Sequence, residues 1–167
     1  MKSRGKIIAA VVALAIAAGA ATAFLTRNAA PEVRFATLGG EKLSTSDLRG
    51  KVVLVNFWAT SCVTCVKEMP KLIETHLRYA PRGYETLAVA MSYDHPNQVA
   101  EFARSRALPF KIALDTSGEI AKRFGEVRVT PTTFLIDRRG RILKQYLGEP
   151  DWAEFHALLE RALADPA

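Results

Sequence analysis

The most pronounced hydrophobic pattern in the chain is an uncharged run of 19 residues, "IIAAVVALAIAAGAATAFL" (residues 7–25), preceded by Lys2, Arg4 and Lys6. As a helix it reaches roughly 28 Å, close to the ~30 Å hydrocarbon core of a bilayer. A positive start followed by an apolar run is what export machinery reads, with the positive end kept in the cytoplasm. The run exceeds a usual signal-peptide core, which favours an uncleaved signal anchor over residues 1–26. A cleaved signal peptide is the competing reading, because Ala21-Thr22-Ala23 has the small-x-small pattern of a cleavage site. No cysteine stands near the end of the run to carry a lipid. Both readings put the rest of the chain outside the cytoplasm, with an inner-membrane protein facing the periplasm as the first expectation.

Residues 27–32, "RNAAPE", read as a tether, and 33–165 as one domain. Val33–Leu38 and the Gly39-Gly40 turn predict a short hairpin, and "TSDLRGK" a capped turn. "KVVLVNFW" (51–58) and "YETLAVAMS" (84–92) are continuous apolar, β-branched runs, as in strands buried on both faces. Between them a helical pattern runs from about Cys65 to Tyr79, with Val66, Met69, Leu72, Ile73, His76 and Leu77 on its apolar stripe and Pro70 as a kink. Strand, helix, strand makes a right-handed parallel unit. A helix over about 97–106, a strand over 110–114 and a helix over 118–124 follow. "TTFLID" and "RILKQYLG" form an antiparallel hairpin around a solvated "RRG" turn. Asp151 caps a last helix with Trp152, Phe155, Leu158 and Leu159 on its core face. The fold class is therefore α/β: a mixed central sheet with helices on both faces and an antiparallel edge.

Charge narrows the partners. The chain has 23 basic and 17 acidic residues, and residues 1–27 hold four of the basic ones (Lys2, Arg4, Lys6, Arg27) and no acidic one. The domain alone is thus nearly balanced. A nucleic-acid binder needs a concentrated basic face, and no nucleic-acid partner is expected.

Both cysteines of the chain lie in "FWATSCVTCVKEMP" (57–70), as Cys62-x-x-Cys65. A domain of this size buries enough surface to need no staple, and a bridge closing so small a loop stabilises little. Cys62 falls where a buried strand meets a helix, and there free N–H groups and the helix dipole favour a thiolate. Cys65, one turn on, can attack a mixed disulfide formed on Cys62. The alternatives are weaker. A structural zinc site needs about four ligands, and His76, His95 and His156 are scattered without ligand spacing. Haem attachment needs a histidine where Val66 stands. His76 reads as a core histidine, and neither a metal nor any other cofactor is expected.

In "RVTPTTFLID", Pro131 sits just before a strand. A threonine–proline bond can be cis at low cost. The Thr130 backbone could then face the cysteines and pair with an extended substrate segment. A plain strand-start proline remains the other reading.

Together, "VVLVNFWATSCVTC", Pro70 and "VTPTTFLID" resemble the thioredoxin superfamily, and "CVTCVKEMP" resembles its membrane-anchored extracytoplasmic branch, the TlpA and ResA type. The resemblance covers about 33–165, including the helix and strand between 97 and 114 as that branch's insertion. It implies a thioredoxin-like fold and a thiol–disulfide oxidoreductase with Cys62 as nucleophile, Cys65 as resolving thiol and Pro131 as the cis-proline of the substrate groove. Trp58 is expected beside that groove, with a purely core role as the other reading.

Two departures stand out. Asn56 occupies the position of the buried aspartate usual in thioredoxins; Glu68 matches a glutamate of the TlpA/ResA branch and is a candidate proton acceptor with a raised pKa, with a solvated helix glutamate as the other reading. Ser61 stands where the family usually has tryptophan, and Val63-Thr64 lacks its frequent proline. The resemblance further implies a reductase of protein disulfides, acting on haem-binding or copper-site cysteines and recharged by a membrane thiol donor. A thiol peroxidase is a rival, although Ala59 stands where peroxidases usually carry threonine. A Cu(I)-binding module using the two thiols is another.

Overall fold

The computed structural model describes residues 28–166. The expected anchor falls outside these residues; among those described, no helix is long and apolar enough to cross a membrane. The elements are β1 (Arg34–Ala36), β2 (Lys42–Ser44), β3 (Val52–Trp58), α1 (Val63–Tyr79), β4 (Tyr84–Ala90), α2 (Pro96–Ser105), β5 (Lys111–Leu114), α3 (Glu119–Arg123), β6 (Thr132–Ile136), β7 (Ile142–Leu147) and α4 (Trp152–Ala164). The five-stranded sheet has the order β5-β4-β3-β6-β7. β3 pairs parallel with β4 and antiparallel with β6, so the strand that leads to the cysteines lies at the centre.

All seven residues of β3 are buried, which is why, Asn56 apart, it reads as an apolar run rather than an alternating one. Its side chains still alternate between two cores. Val52, Leu54 and Trp58 join the layer containing Met69, Leu72, Phe155 and Leu159. Val53, Val55 and Phe57 join the layer containing Phe35, Phe124 and Phe134. Asn56 takes the position in the first series that an apolar residue would otherwise fill, and it is fully buried.

β5 lies at the sheet edge beside β4. That edge is covered, since the Leu38 N–H donates to the Ile112 carbonyl at 2.8 Å and Thr37 bridges to Ala113. Such cover removes an open template for strand pairing. Residues 28–30 bind the opposite side at the β6–β7 turn, and Pro31 is tied to the segment after β2. The Ile142 N–H donates to Asn28, the Ala30 N–H to Gly140, and the Thr45 hydroxyl to Pro31. Residues 28–31 are therefore docked backbone rather than the free tether expected over 27–32.

The buried face of α1 also differs from the apolar stripe read in the sequence. Cys65, Glu68, Met69, Leu72, Thr75, His76 and Tyr79 are buried, whereas Leu77 is 62% exposed. Two polar residues, Glu68 and Thr75, lie within this face because each has a polar partner there: Asn56 for Glu68 and His156 for Thr75. His76 packs against Tyr84 and Phe110 as a core histidine, and burial holds its pKa below the usual value. The "RRG" turn is more than a solvated loop. Arg138 donates to the carbonyls of Gly50 and Arg82, and Arg141 pairs with Asp137 at 2.7 Å.

Candidate active site

The site begins where β3 ends. Its last residue, Trp58, accepts a backbone hydrogen bond from Met91 at 3.0 Å, which carries the sheet one step beyond the paired strands. The chain then turns through Ala59-Thr60-Ser61. Asp94, itself buried, fixes that turn from the loop after β4: its carboxylate accepts from the Thr60 N–H at 2.5 Å and from the Thr60 hydroxyl at 2.7 Å. The sequence reading did not single out Asp94; 34 residues separate it from Thr60, and nothing local marks the contact.

Cys62 is the N-cap of α1, in extended conformation, and its sulfur accepts from the Cys65 N–H at 3.2 Å. The helix terminus thus directs a free donor at this sulfur, the arrangement that stabilises a thiolate when the bond is reduced. Here the two sulfurs form a disulfide with a Cα–Cα distance of 5.2 Å. The partners are unequal. Cys62 is half-buried and Cys65 is fully buried, so an incoming sulfur can approach only Cys62.

One turn past Cys65, Glu68 is 1% exposed. The Asn56 side-chain amide donates to its Oε1 at 3.0 Å and to the Thr133 hydroxyl at 2.9 Å. Burial pushes the Glu68 carboxyl up to about 7; the Asn56 hydrogen bond opposes that rise, and the nearby charge of Glu149 adds to it. A carboxyl with a pKa near neutrality can both accept and return a proton.

The Thr130–Pro131 peptide bond is cis. Phe57 is level with Thr132 in the β3–β6 register, so Pro131 comes at the end of the sheet from which the cysteine turn leaves. The Pro131 carbonyl accepts from the Gly148 N–H at 2.8 Å. The backbone N–H and carbonyl of Thr130 have no partner among the described residues, and its hydroxyl lies 3.3 Å from that of Tyr93. Val63, Tyr93, Val129 and Leu147 are exposed apolar residues close in sequence or pairing to these positions.

Trp58 takes the core position rather than the expected one at the substrate groove. Its ring is fully buried and packs on Phe102 at 5.2 Å between centroids. It supports the site from below and has no surface to offer a substrate. Ser61 is exposed and borders a shallow groove of about 630 Å³ that Asn97 and Phe102 also line. No group of three or more His, Cys, Asp or Glu that could hold a metal occurs among the described residues.

A profile of the Redoxin family matches residues 26–160. The chain belongs to this family. Within it, the chain is 35% identical over 133 residues to the thiol-disulfide oxidoreductase ResA of Bacillus thuringiensis, covering 79% of this chain and 75% of that one. The ResA of Geobacillus thermodenitrificans is 37% identical over 127 residues, covering 76% and 72%. A solution structure from Neisseria meningitidis, assigned as a thioredoxin, superposes with a TM-score of 0.75 at 39% identity over 80% of this chain and 88% of its own. This Redoxin-family chain is accordingly a thiol–disulfide oxidoreductase of the TlpA/ResA type, with Cys62 and Cys65 as its CxxC pair.

Proposed function

We propose that the protein reduces disulfides of other proteins outside the cytoplasm. The observation that carries this reading is the unequal pair: a half-exposed sulfur bonded to a fully buried one, with a buried carboxyl one turn behind. In the reduced protein, the Cys62 thiolate attacks a substrate disulfide. A mixed disulfide forms, and the first substrate thiolate leaves and takes a proton. Cys65 gives its proton to Glu68 and attacks the Cys62 sulfur, and the second substrate thiolate leaves. Two electrons have passed to the substrate and the Cys62–Cys65 disulfide is restored. A membrane dithiol donor then reduces that disulfide for the next cycle.

The unpaired Thr130 backbone and the exposed Val63, Tyr93, Val129 and Leu147 support an extended polypeptide as substrate, since it can pair with free main-chain groups beside apolar side chains. The substrates in this reading are cysteine pairs of proteins awaiting haem or copper. Residues 1–26 act as an inner-membrane anchor that holds the domain in the periplasm.

The test is the reduction potential of Cys62–Cys65 in the full chain, equilibrated against a dithiothreitol or glutathione series. A reductant is expected near or below about −250 mV, in the range of thioredoxin. A value near roughly −120 mV, as for strong oxidants, would make the protein a disulfide donor instead.

A further inference from the structure

Asn56 is fully buried in the middle of the central strand. Water does not reach an amide there, so its hydrogen bonds are made within the protein or not at all; its Oδ1 makes none among the described residues. Its Nδ2 makes two, to Glu68 Oε1 at 3.0 Å and to Thr133 Oγ1 at 2.9 Å. The three residues come from β3, α1 and β6, and both partners are themselves buried. Asn56 is thus the only described donor to the Glu68 carboxylate, and it ties that carboxylate to the strand that starts at Pro131.

We propose that Asn56 is a positioning residue of the exchange reaction, fixing through Glu68 where and how strongly the proton of Cys65 is received. The inference rests on the reading of Glu68 as acceptor of that proton. A donor aimed at Oε1 favours the charged carboxylate, and burial favours the neutral acid. With Asn56 present, the two effects leave Glu68 able to exchange its proton near neutral pH. Without it, burial acts alone and Glu68 holds its proton more tightly. The charged groups around Glu68 do not duplicate the effect. Glu149, from the loop after β7, pushes in the same direction as burial, and Lys67 on α1 is spent on Glu149 at 3.1 Å.

The experiment pairs two readouts on the full chain. Carbon-13 NMR of the Glu68 carboxyl in the oxidised protein gives its titration midpoint directly. The rate at which Cys65 resolves a mixed disulfide with a model peptide on Cys62, followed against pH, gives the consequence. In Asn56→Ala the midpoint is expected to rise, and resolution at pH 6 to slow by roughly tenfold with its high-pH plateau retained, the size of effect one hydrogen bond to a charged acceptor produces. Asn56→Asp keeps the shape of the side chain and serves as the second variant. It places a second carboxylate beside the first, so the pair is expected to titrate in two steps, with the upper one above the wild-type midpoint. Adding Asn56→Ala to Glu68→Gln should change nothing further.

An unmoved midpoint in both variants, or a further loss of rate when Asn56→Ala is added to Glu68→Gln, overturns the inference and leaves Asn56 a purely structural residue. A risen midpoint combined with an unchanged rate profile in Glu68→Gln upholds the role of Asn56 toward Glu68. That result would instead overturn Glu68 as the proton acceptor.

Discussion

The carboxylate of Asp94 holds Thr60 at two points, the backbone N–H at 2.5 Å and the side-chain hydroxyl at 2.7 Å. Thr60 is two residues from the nucleophile, so this contact sets the turn that delivers Cys62 to the helix terminus. Asp94→Ala removes both bonds and leaves a half-buried N–H without a partner. The expected cost is about 2–3 kcal/mol of stability, read by urea unfolding, with slower attack by Cys62 on a peptide disulfide. Thr60→Val keeps the backbone bond and should lose less. Equal stability of Asp94→Ala and the parent protein would show the turn to be held by other contacts.

Removing the buried sulfur should divide the reaction at its midpoint. Cys65→Ala leaves Cys62 able to attack but nothing to resolve the product, so a mixed disulfide with a peptide or protein is expected to accumulate. Intact-mass analysis under non-reducing conditions reads it as an added partner on Cys62. Cys62→Ala leaves only a fully buried sulfur and should trap no partner. Equal trapping by both variants would contradict the assignment of roles.

The raised proton affinity of Glu68 also links folding to pH. Its ordinary value is 4.5 and its value in the folded protein is about 7. Below 4.5 the folded and unfolded chains both carry the proton and the stabilisation is fully present. Between these values only the folded chain keeps it, so stability falls as pH rises and the contribution is gone above about 7. The total change is about 3 kcal/mol for this group. Chemical unfolding of the oxidised protein between pH 4 and 8 should show that decline, and Glu68→Gln should flatten it. The lowered pKa values of His76 and His156 act in the opposite direction, so the difference between parent and Glu68→Gln is the deciding quantity. A difference that does not change across this range would exclude the buried, protonatable state.

Because Trp58 is buried on Phe102 rather than presented to solvent, its replacement should act on the fold. Trp58→Ala is expected to cost about 3–5 kcal/mol. KM for a peptide disulfide should stay within about twofold at temperatures where the variant is folded, because none of the indole surface is available to a substrate. A large rise in KM with little loss of stability would restore Trp58 to the substrate surface.

Much of this architecture is legible in the sequence because its cues are local. The apolar run of β3 marks a central strand, and the CxxC spacing places two sulfurs one helical turn apart. Asp151 does cap α4, accepting from the Glu154 N–H at 2.9 Å. What the sequence hides depends on distant contacts. Leu77 matches the apolar period of α1 but faces solvent, while Glu68 and Thr75 turn inward because Asn56 and His156 await them. Residues 28–31 look like linker because their only bonds among the described residues are main-chain ones to the β6–β7 turn and a hydroxyl reaching from Thr45. Trp58 reads equally as an active-site aromatic and as a core residue because it adjoins both the motif and the buried strand, and the packing of α2 decides for the core.

The antiparallel pairing of β3 with β6 also works as a ruler. It sets Asn56 opposite Thr133 and Phe57 opposite Thr132, which fixes how far Pro131 sits from the cysteine turn. A slip of one residue would move Pro131 about 3.3 Å along the sheet and point Thr133 to the wrong face. The one irregularity in this hairpin, between Leu135 and Ile136 where β6 meets β7, lies at the opposite end, next to the Asp137–Arg141 turn. That turn is itself pinned, by Arg138 on the Gly50 and Arg82 carbonyls and by the Asp137–Arg141 pair, so the β6–β7 hairpin is gripped at both poles and its register at the reactive end has no slack to draw on.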